Sequence, residues 1–333
     1  MGLPLATDAG PGPQLRGGID LGGTKIQALV LNEAHAVLGR GRQETPREGG
    51  PEAVVAALVA TMQTALKDAG AEAGELAGIG VGTPGAVDTV NGTVGNARNL
   101  PDWIDPFPLA PQLSRGLADV PVRLGNDVNV AIAGEYALGA GRGHDSILGV
   151  WWGTGVGGGL VLGGEMWHGR GYAGEFGHQV IRRGGDLCGC GNRGCVEAYA
   201  GRKMMEAWVR GKTVEGHHTD LFKIMEKRGR DRLTSGVWWR AVRDEDVLAL
   251  HAIERALKAL GAGIASAVNL LDLPAVVIGG GMGERFFASH GAQLGQYVHE
   301  NLFRADAPPA LLPTELGDDG GAVGASLLID SAA

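Results

Sequence analysis

Behind Pro51, apolar residues recur at three- and four-residue intervals, so that Val54, Val55, Leu58, Met62 and Leu66 share one broad face. That period predicts a helix over 51–69, opened by a proline whose missing N–H the first turn does not need. Ahead of it, β-like runs at 17–21, 26–31 and 36–41 predict a meander, its first two strands separated by Gly-Gly-Thr-Lys. Further strands are expected at 78–81 and 121–124, followed by a helix from Asn126-Asp127 through Ala140.

A similar pattern then begins again. A strand is predicted at 147–152, a glycine-rich turn at 153–159 and a second strand at 160–162. Later come a long helix over 245–271, a buried strand over 275–278, a helix over 283–303 and a small-residue helix over 320–329. The stretch 203–244 carries helical pieces and the pair Trp238-Trp239, without assignable chemistry. A meander followed by alternating helices and strands, twice over, predicts an α/β layer architecture of two similar halves with a cleft between them.

Composition narrows the classes. A chain of 333 residues is long enough for two domains, and 44% hydrophobic with 20% charged residues fits a packed globular protein. The net charge of −8 argues against a nucleic-acid surface, and no run approaches the roughly 20 apolar residues that span a bilayer. Residues 1–14 have no basic region followed by an apolar run, so no signal peptide is expected. Glycine stands out with 59 residues, in clusters, as where a backbone approaches a ligand or turns sharply.

Asp20-Leu-Gly-Gly-Thr-Lys25 lies between two predicted strands. The N–H groups of Gly22 and Gly23, the Thr24 hydroxyl and the Lys25 ammonium offer donors to a phosphate, and Asp20 can hold a hydrated magnesium; an ordinary hairpin with a surface aspartate is the other reading. Gly153, Thr154, Gly155 and Gly157 make the same offer from the second half. Gly279, Gly280 and Gly281 follow a strand and open a helix, a setting suited to a nucleotide or to a plain turn. Neither a Walker A sequence nor a Rossmann fingerprint opens the first half. Asp127 reads either as a helix N-cap or as a base for a hydroxyl proton, and Asn99 either donates to a sugar or finishes a turn.

All three cysteines, Cys188, Cys190 and Cys195, follow His178 within one loop. Three thiols and an imidazole at this spacing supply the corners of a closed tetrahedral zinc site, and clustered cysteines without distant partners fit a reducing cytoplasm. Glu175 and Glu197 bracket these ligands, so a metal that pins the loop pins two carboxylates as well. Such a pair suits the adjacent hydroxyls of a sugar ring. Glycoside hydrolysis also uses paired acids, but it leaves the glycine turns unexplained.

Together these segments resemble the ROK family of sugar kinases and sugar-responsive repressors, within the actin-like ATPase superfamily. The likeness runs from about Gly17 to the C-terminal helix and rests on 20–26, Gly82-Thr-Pro-Gly-Ala-Val-Asp88, Asn126-Asp127, 153–159, Glu175-x-Gly-His178 and Cys188-x-Cys190-Gly-x-x-Gly-Cys195-x-Glu197. The segment 203–244 and the Trp152-Gly153 lead-in depart from the family pattern.

The resemblance implies a two-domain actin-like ATPase (ribonuclease H-like) fold: a tail at 1–16, a small α/β domain at 17–125 plus 312–333, and a large one at 126–311 with the zinc loop. It implies Asp127 as catalytic base, Asn99, Asn126, Asp127, Glu175, His178 and Glu197 on the sugar, and the glycine loops on ATP. Structural Zn2+ on His178, Cys188, Cys190 and Cys195, Mg2+ with ATP, and a cytoplasmic homodimer or homotetramer follow from it too. Only 19 residues, rich in proline and glycine, precede Asp20, so the kinase branch is expected rather than the repressor branch with its helix-turn-helix. The expected activity is ATP-dependent phosphorylation of a hexose 6-hydroxyl, with glucose first. N-acetylmannosamine, N-acetylglucosamine or fructose are alternative substrates, polyphosphate is an alternative donor, and a non-catalytic sugar-binding regulator is the alternative of another class.

Overall fold

In the computed structural model, which describes residues 14–332, two compact units divide the chain. One ends at Gly134 and resumes at Asp318; the other is Glu135–Gly317. Residues 1–13 of the expected tail lie outside the described residues.

The first unit is built on β1 (Leu15–Leu21), β2 (Lys25–Leu31) and β3 (Val37–Glu44), then helix α1 (Gly50–Ala69) and β4 (Leu76–Thr83). A two-stranded ribbon, β5 (Ala86–Asp88) with β6 (Thr93–Gly95), leads to α2 (Leu109–Gly116), β7 (Val122–Asn126) and α3 (Asp127–Leu138). The sheet order is β3-β2-β1-β4-β7, with β1–β2 and β2–β3 antiparallel and β1–β4 and β4–β7 parallel. The predicted face of α1 is the buried one: Val54, Leu58, Met62 and Leu66 pack with Ile19, Leu21, Ile26, Val30, Ile79 and Val81. Each such Leu or Ile side chain stabilises the unit by about 1.5–3 kcal/mol relative to exposure. The C-terminal helix, Gly320–Ser326, returns to this unit. A Cβ on Gly18 would collide with the carbonyl of Ala322, and one on Gly80 with that of Ala325, so two bare strand positions let helix and sheet backbones touch.

The second unit repeats the topology with different strands. It contains β8 (Ile147–Trp152), β9 (Val156–Leu162), β10 (Glu165–Met166), α4 (Val196–Ala200), α5 (Arg202–Val214), α6 (Leu221–Lys227) and α7 (Ser235–Arg243). Then come α8 (Val247–Leu271), β11 (Ala275–Gly279), α9 (Gly280–His299) and β12 (Ala310–Pro313). The order β10-β9-β8-β11-β12 has the same pattern of antiparallel and parallel neighbours as the first sheet. Every residue of β11 is buried, as expected of a parallel strand covered on both faces. Ile253, Leu257, Leu260 and Ile264 of α8 and Met282 and Phe286 of α9 share its core with Val150, Trp152, Val276 and Ile278.

Several boundaries differ from expectation for local reasons. The turn expected over 153–159 shrinks to three residues, because Val156 already pairs with Trp152, and Gly157 and Gly159 face Trp151 and Gly149 in the ladder. Helix α9 opens at Gly280, three residues before the expected 283, through a left-handed φ of 79° that glycine adopts without strain. It ends near His299 rather than at 303, where the Asn301 side chain donates to the Tyr297 carbonyl at 2.8 Å. Helix α8 starts at Val247 rather than at 245 because the Asp246 carboxylate accepts the Ala249 N–H at 2.8 Å, an N-cap.

Candidate active site

In the first unit the site grows from the C-terminal ends of the parallel strands, where α/β sheets place ligands. Asp20 of β1 pairs with Gly82 of β4, which pairs with Gly125 of β7, and Asn126-Asp127 follow directly. The β1–β2 turn is closed by the Gly22 N–H donating to the Lys25 carbonyl at 3.0 Å and by the Thr45 hydroxyl donating to the Gly22 carbonyl at 2.6 Å. Lys25 reaches Asp318 at 3.1 Å, so its ammonium is anchored and does not swing freely over the turn. A Cβ on Gly23 would come within 2.8 Å of the Asn99 carbonyl oxygen, which places the exposed Asn99 loop against the turn. The structure thus brings Asp20, Gly22, Gly23, Thr24, Lys25 and Asn99 into one neighbourhood.

Asn126 and Asp127 divide their labour. The Asn126 Oδ1 accepts the N–H groups of Val128 at 3.1 Å and Asn129 at 3.2 Å, which is the capping role for α3. Asp127 is the first residue of the helix, and its Oδ1 accepts the Val128 N–H at 2.9 Å, with its own N–H and the Asn126 side chain also donating to the carboxylate. Burial pushes the Asp127 pKa up, and the Val128 N–H pulls it partly back. Asp20 is pushed up to about 6, first by burial and then by the charge of Asp127. A carboxylate whose proton affinity is raised by burial and by a neighbouring carboxylate makes a place for a cation or for a proton in transit.

In the second unit, the four predicted metal ligands converge. The Sγ atoms of Cys190 and Cys195 are 3.8 Å apart, Cys188 Sγ is 3.7 Å from His178 Nδ1, and all four ligand atoms lie within 4.8 Å of one another. A tetrahedral zinc with bonds of about 2.3 Å to sulfur and 2.0–2.1 Å to nitrogen sets S···S near ~3.8 Å and S···N near ~3.6 Å, so the donor set fits that ion. As a bare thiol, Cys188 is pushed up to about 12, chiefly by burial, with Glu197 adding to the rise. A cation would relieve that conflict. With Nδ1 turned to the sulfurs, His178 keeps Nε2 facing outward, 4.0 Å from the exposed Glu175 carboxylate.

Glu197, in the first turn of α4, makes a different connection, with both of its oxygens engaged. Its Oε2 accepts the Val156 N–H at 2.9 Å, and its Oε1 faces the Cys188 thiol at 3.8 Å. A Cβ on Gly155 would collide with this carboxylate, so the glycine turn and the cysteine loop share one acid. The turn itself is held by α5: the N–H groups of Arg202 and Lys203 donate to the carbonyls of Gly153 and Thr154 at 3.2 and 3.0 Å. The Arg202 guanidinium also donates to the Thr154 hydroxyl at 2.7 Å. Gly279, Gly280 and Gly281 form the β11-to-α9 junction, with bare backbone at a helix N-terminus.

Sequence reasoning missed Arg202 and also Arg255. Arg255 of α8 donates to Asp186 at 2.6 Å, two residues before Cys188, and its guanidinium lies 4.2 Å from the Trp208 ring centre and 5.4 Å from that of Tyr199. A helix-start arginine after Gly201 was a faint local signal for the first; nothing local pointed to the second.

A duplicated five-stranded sheet with a glycine hairpin in each copy and a half-buried aspartate just after β7 defines the two-domain, actin-like class of α/β proteins. The chain belongs to the ROK family, whose sequence profile matches residues 16–332. A glucokinase of Thermotoga maritima is 32% identical over 319 residues, covering 94% of this chain and 96% of that protein. Among solved structures, a ROK hexokinase from Thermus thermophilus is 33% identical with a TM-score of 0.74, covering 94% of this chain and 97% of its own. A ROK glucokinase from Streptomyces griseus, solved with glucose and AMPPNP, is 31% identical with a TM-score of 0.72, covering 96% of this chain and 100% of its own.

Proposed function

We propose that this protein is an ATP-dependent hexose kinase that phosphorylates the 6-hydroxyl of glucose. The observation that carries the reading is Asp127: half-buried, raised in proton affinity by desolvation, and at a helix start where Asn126 takes two of the helix N–H groups. The glucokinases that resemble the chain along most of its length support the same activity.

Asp127 takes the proton of the 6-hydroxyl as that oxygen bonds to the γ-phosphorus of ATP and the bond to the β-phosphate oxygen breaks, leaving ADP. Asn99, Asn126, Glu175, His178 and Glu197 hold sugar hydroxyls. The N–H groups of Gly22, Gly23 and Gly155, with Thr24 and Thr154, face the phosphates, while Gly157 and 279–281 line the nucleotide path. The Lys25 ammonium adds positive charge from its anchor on Asp318.

His178, Cys188, Cys190 and Cys195 would hold a structural zinc, and Asp20 would hold hydrated magnesium. Magnesium supplies charge neutralisation on the transferring phosphoryl group. Were Nδ1 of His178 to hold the metal, Nε2 would carry the hydrogen and donate to the sugar. A cytoplasmic homodimer or homotetramer completes the reading, and light scattering of the purified protein measures it.

The test is ADP release across a panel of glucose, N-acetylmannosamine, N-acetylglucosamine, fructose and mannose. Glucose should give the highest kcat/KM. A preference for another sugar by tenfold or more would move the substrate, and no ADP with any sugar would sink the kinase reading in favour of a binding protein.

A further inference from the structure

The segment 203–244 has no place in the mechanism above, yet it reaches both glycine clusters of the second unit. The loop between α6 and α7 reads Arg228-Gly-Arg230-Asp-Arg232-Leu-Thr234, three arginines against one acid in a chain of net charge −8. Among the described residues no carboxylate pairs with the guanidinium groups of Arg228, Arg230 or Arg232, and Arg230 and Arg232 are exposed.

The loop is moored beside the hairpin of Gly153-Thr154-Gly155. Arg202 donates one guanidinium nitrogen to the Leu233 carbonyl at 2.8 Å and the other to the Thr154 hydroxyl at 2.7 Å. The Leu233 N–H in turn donates to Glu206 of α5 at 3.0 Å, so both backbone groups of Leu233 are fixed. At its other end, Ser235 opens α7 with its hydroxyl 3.8 Å from where a Cβ on Gly281 would stand.

One side chain therefore spans from the basic loop to the candidate phosphate turn, and the next residues of the loop lie at the start of α9. Burial and the nearby charge of Arg232 lower the proton affinity of Arg202, the sign of cations held close together. Such crowding is relieved by an anion placed among them.

We propose that Arg202, Arg230 and Arg232 form a donor-side subsite for a condensed phosphate chain, the triphosphate of the nucleotide in the reading above. The inference rests on that reading for the identity of the donor. Arg202 positions the loop and Thr154, while the exposed Arg230 and Arg232 supply charge-assisted hydrogen bonds to phosphate oxygens.

The test uses the full chain with Arg230→Ala/Arg232→Ala and, as the conservative control, Arg230→Lys/Arg232→Lys. ATP affinity is measured by calorimetry without turnover, KM for ATP and for glucose by ADP release, and inhibition by inorganic tripolyphosphate alongside. In the alanine variant, ATP and tripolyphosphate should both weaken by roughly tenfold, with KM for glucose and melting temperature unchanged and the lysine variant intermediate. Values within twofold of the parent for both ligands would overturn the subsite. Weakening of ATP alone would assign the arginines to the nucleoside end, and weakening of tripolyphosphate alone would separate the loop from the donor; either overturns the proposal. Because calorimetry needs no sugar transfer, absence of kinase activity leaves this result readable by itself.

Discussion

At the scale of single residues, Asn126 and Asp127 are adjacent polar residues at one helix start with separate duties. The first accepts two helix N–H groups and the second one, and the proposed reading gives the chemistry to Asp127. Asp127→Asn should lower kcat by roughly 10²–10⁴-fold, the range for loss of a general base, while glucose still binds in calorimetry with near-parental affinity. Near-normal turnover in that variant would remove Asp127 from the role.

Asp20 makes a prediction about pH. Its pKa rises from 3.8 unfolded to about 6 folded, so the native state binds the proton more tightly. The sign follows: the stability this group contributes is fully present below pH 3.8 and is lost as pH rises through about 6. Asp20→Asn should therefore raise stability at pH 7 in magnesium-free buffer by on the order of 1–2 kcal/mol, with the gain fading toward pH 4. Denaturant titrations at the two pH values measure it. A gain equal at both would show that the carboxylate's burial is not its cause, and the same variant should lose its magnesium-dependent activity.

At the scale of elements, the sequence disclosed what is periodic or contiguous. Helix α1 was legible because an apolar stripe from Val54 to Leu66 marks its 20 residues, and β11 because it is an unbroken apolar run. Strand β12 was not: prolines bracket it, which suits an edge strand, and it does lie at the sheet edge. Helix α2 escaped for a related reason, being eight residues with Pro111 in its first turn. The same rule applies to the site. His178, Cys188, Cys190 and Cys195 lie within one loop and could be read directly, whereas Arg202 on Thr154 is a contact across 48 residues and Arg255 on Asp186 one across 69.

Arg255 links α8 to the cysteine loop and is itself packed between two aromatic rings. Arg255→Met keeps much of the packing volume and removes the charge. Zinc affinity should fall by roughly 10–100-fold, as for other partners that orient metal-binding loops, read as faster transfer to a chromogenic chelator with unchanged helical circular dichroism. Parental transfer rates would confine Arg255 to packing.

At the scale of the whole molecule, each unit has its own apolar core, and among the described residues no helix is long and apolar enough to cross a membrane. Zinc would link the cysteine loop to function through Glu197, which also holds the start of β9. Cys190 is the exposed cysteine, so Cys190→Ser tests the link with least damage to the core. Elemental analysis should give about one zinc per parent chain and less in the variant, with KM for glucose raised more than KM for ATP. Zinc-free variant protein with parental KM for glucose would break the coupling.

The contact of Gly18 and Gly80 with the helix Gly320–Ser326 has a consequence for the order in which the protein is made. On a ribosome, β1 and β4 emerge early, but the backbone that covers them comes some 240 residues after Gly80. The second unit lies wholly between those two events, so it can close while the first still waits with one sheet face bare. A chaperone, or the pace of translation itself, has its longest window of action on that face.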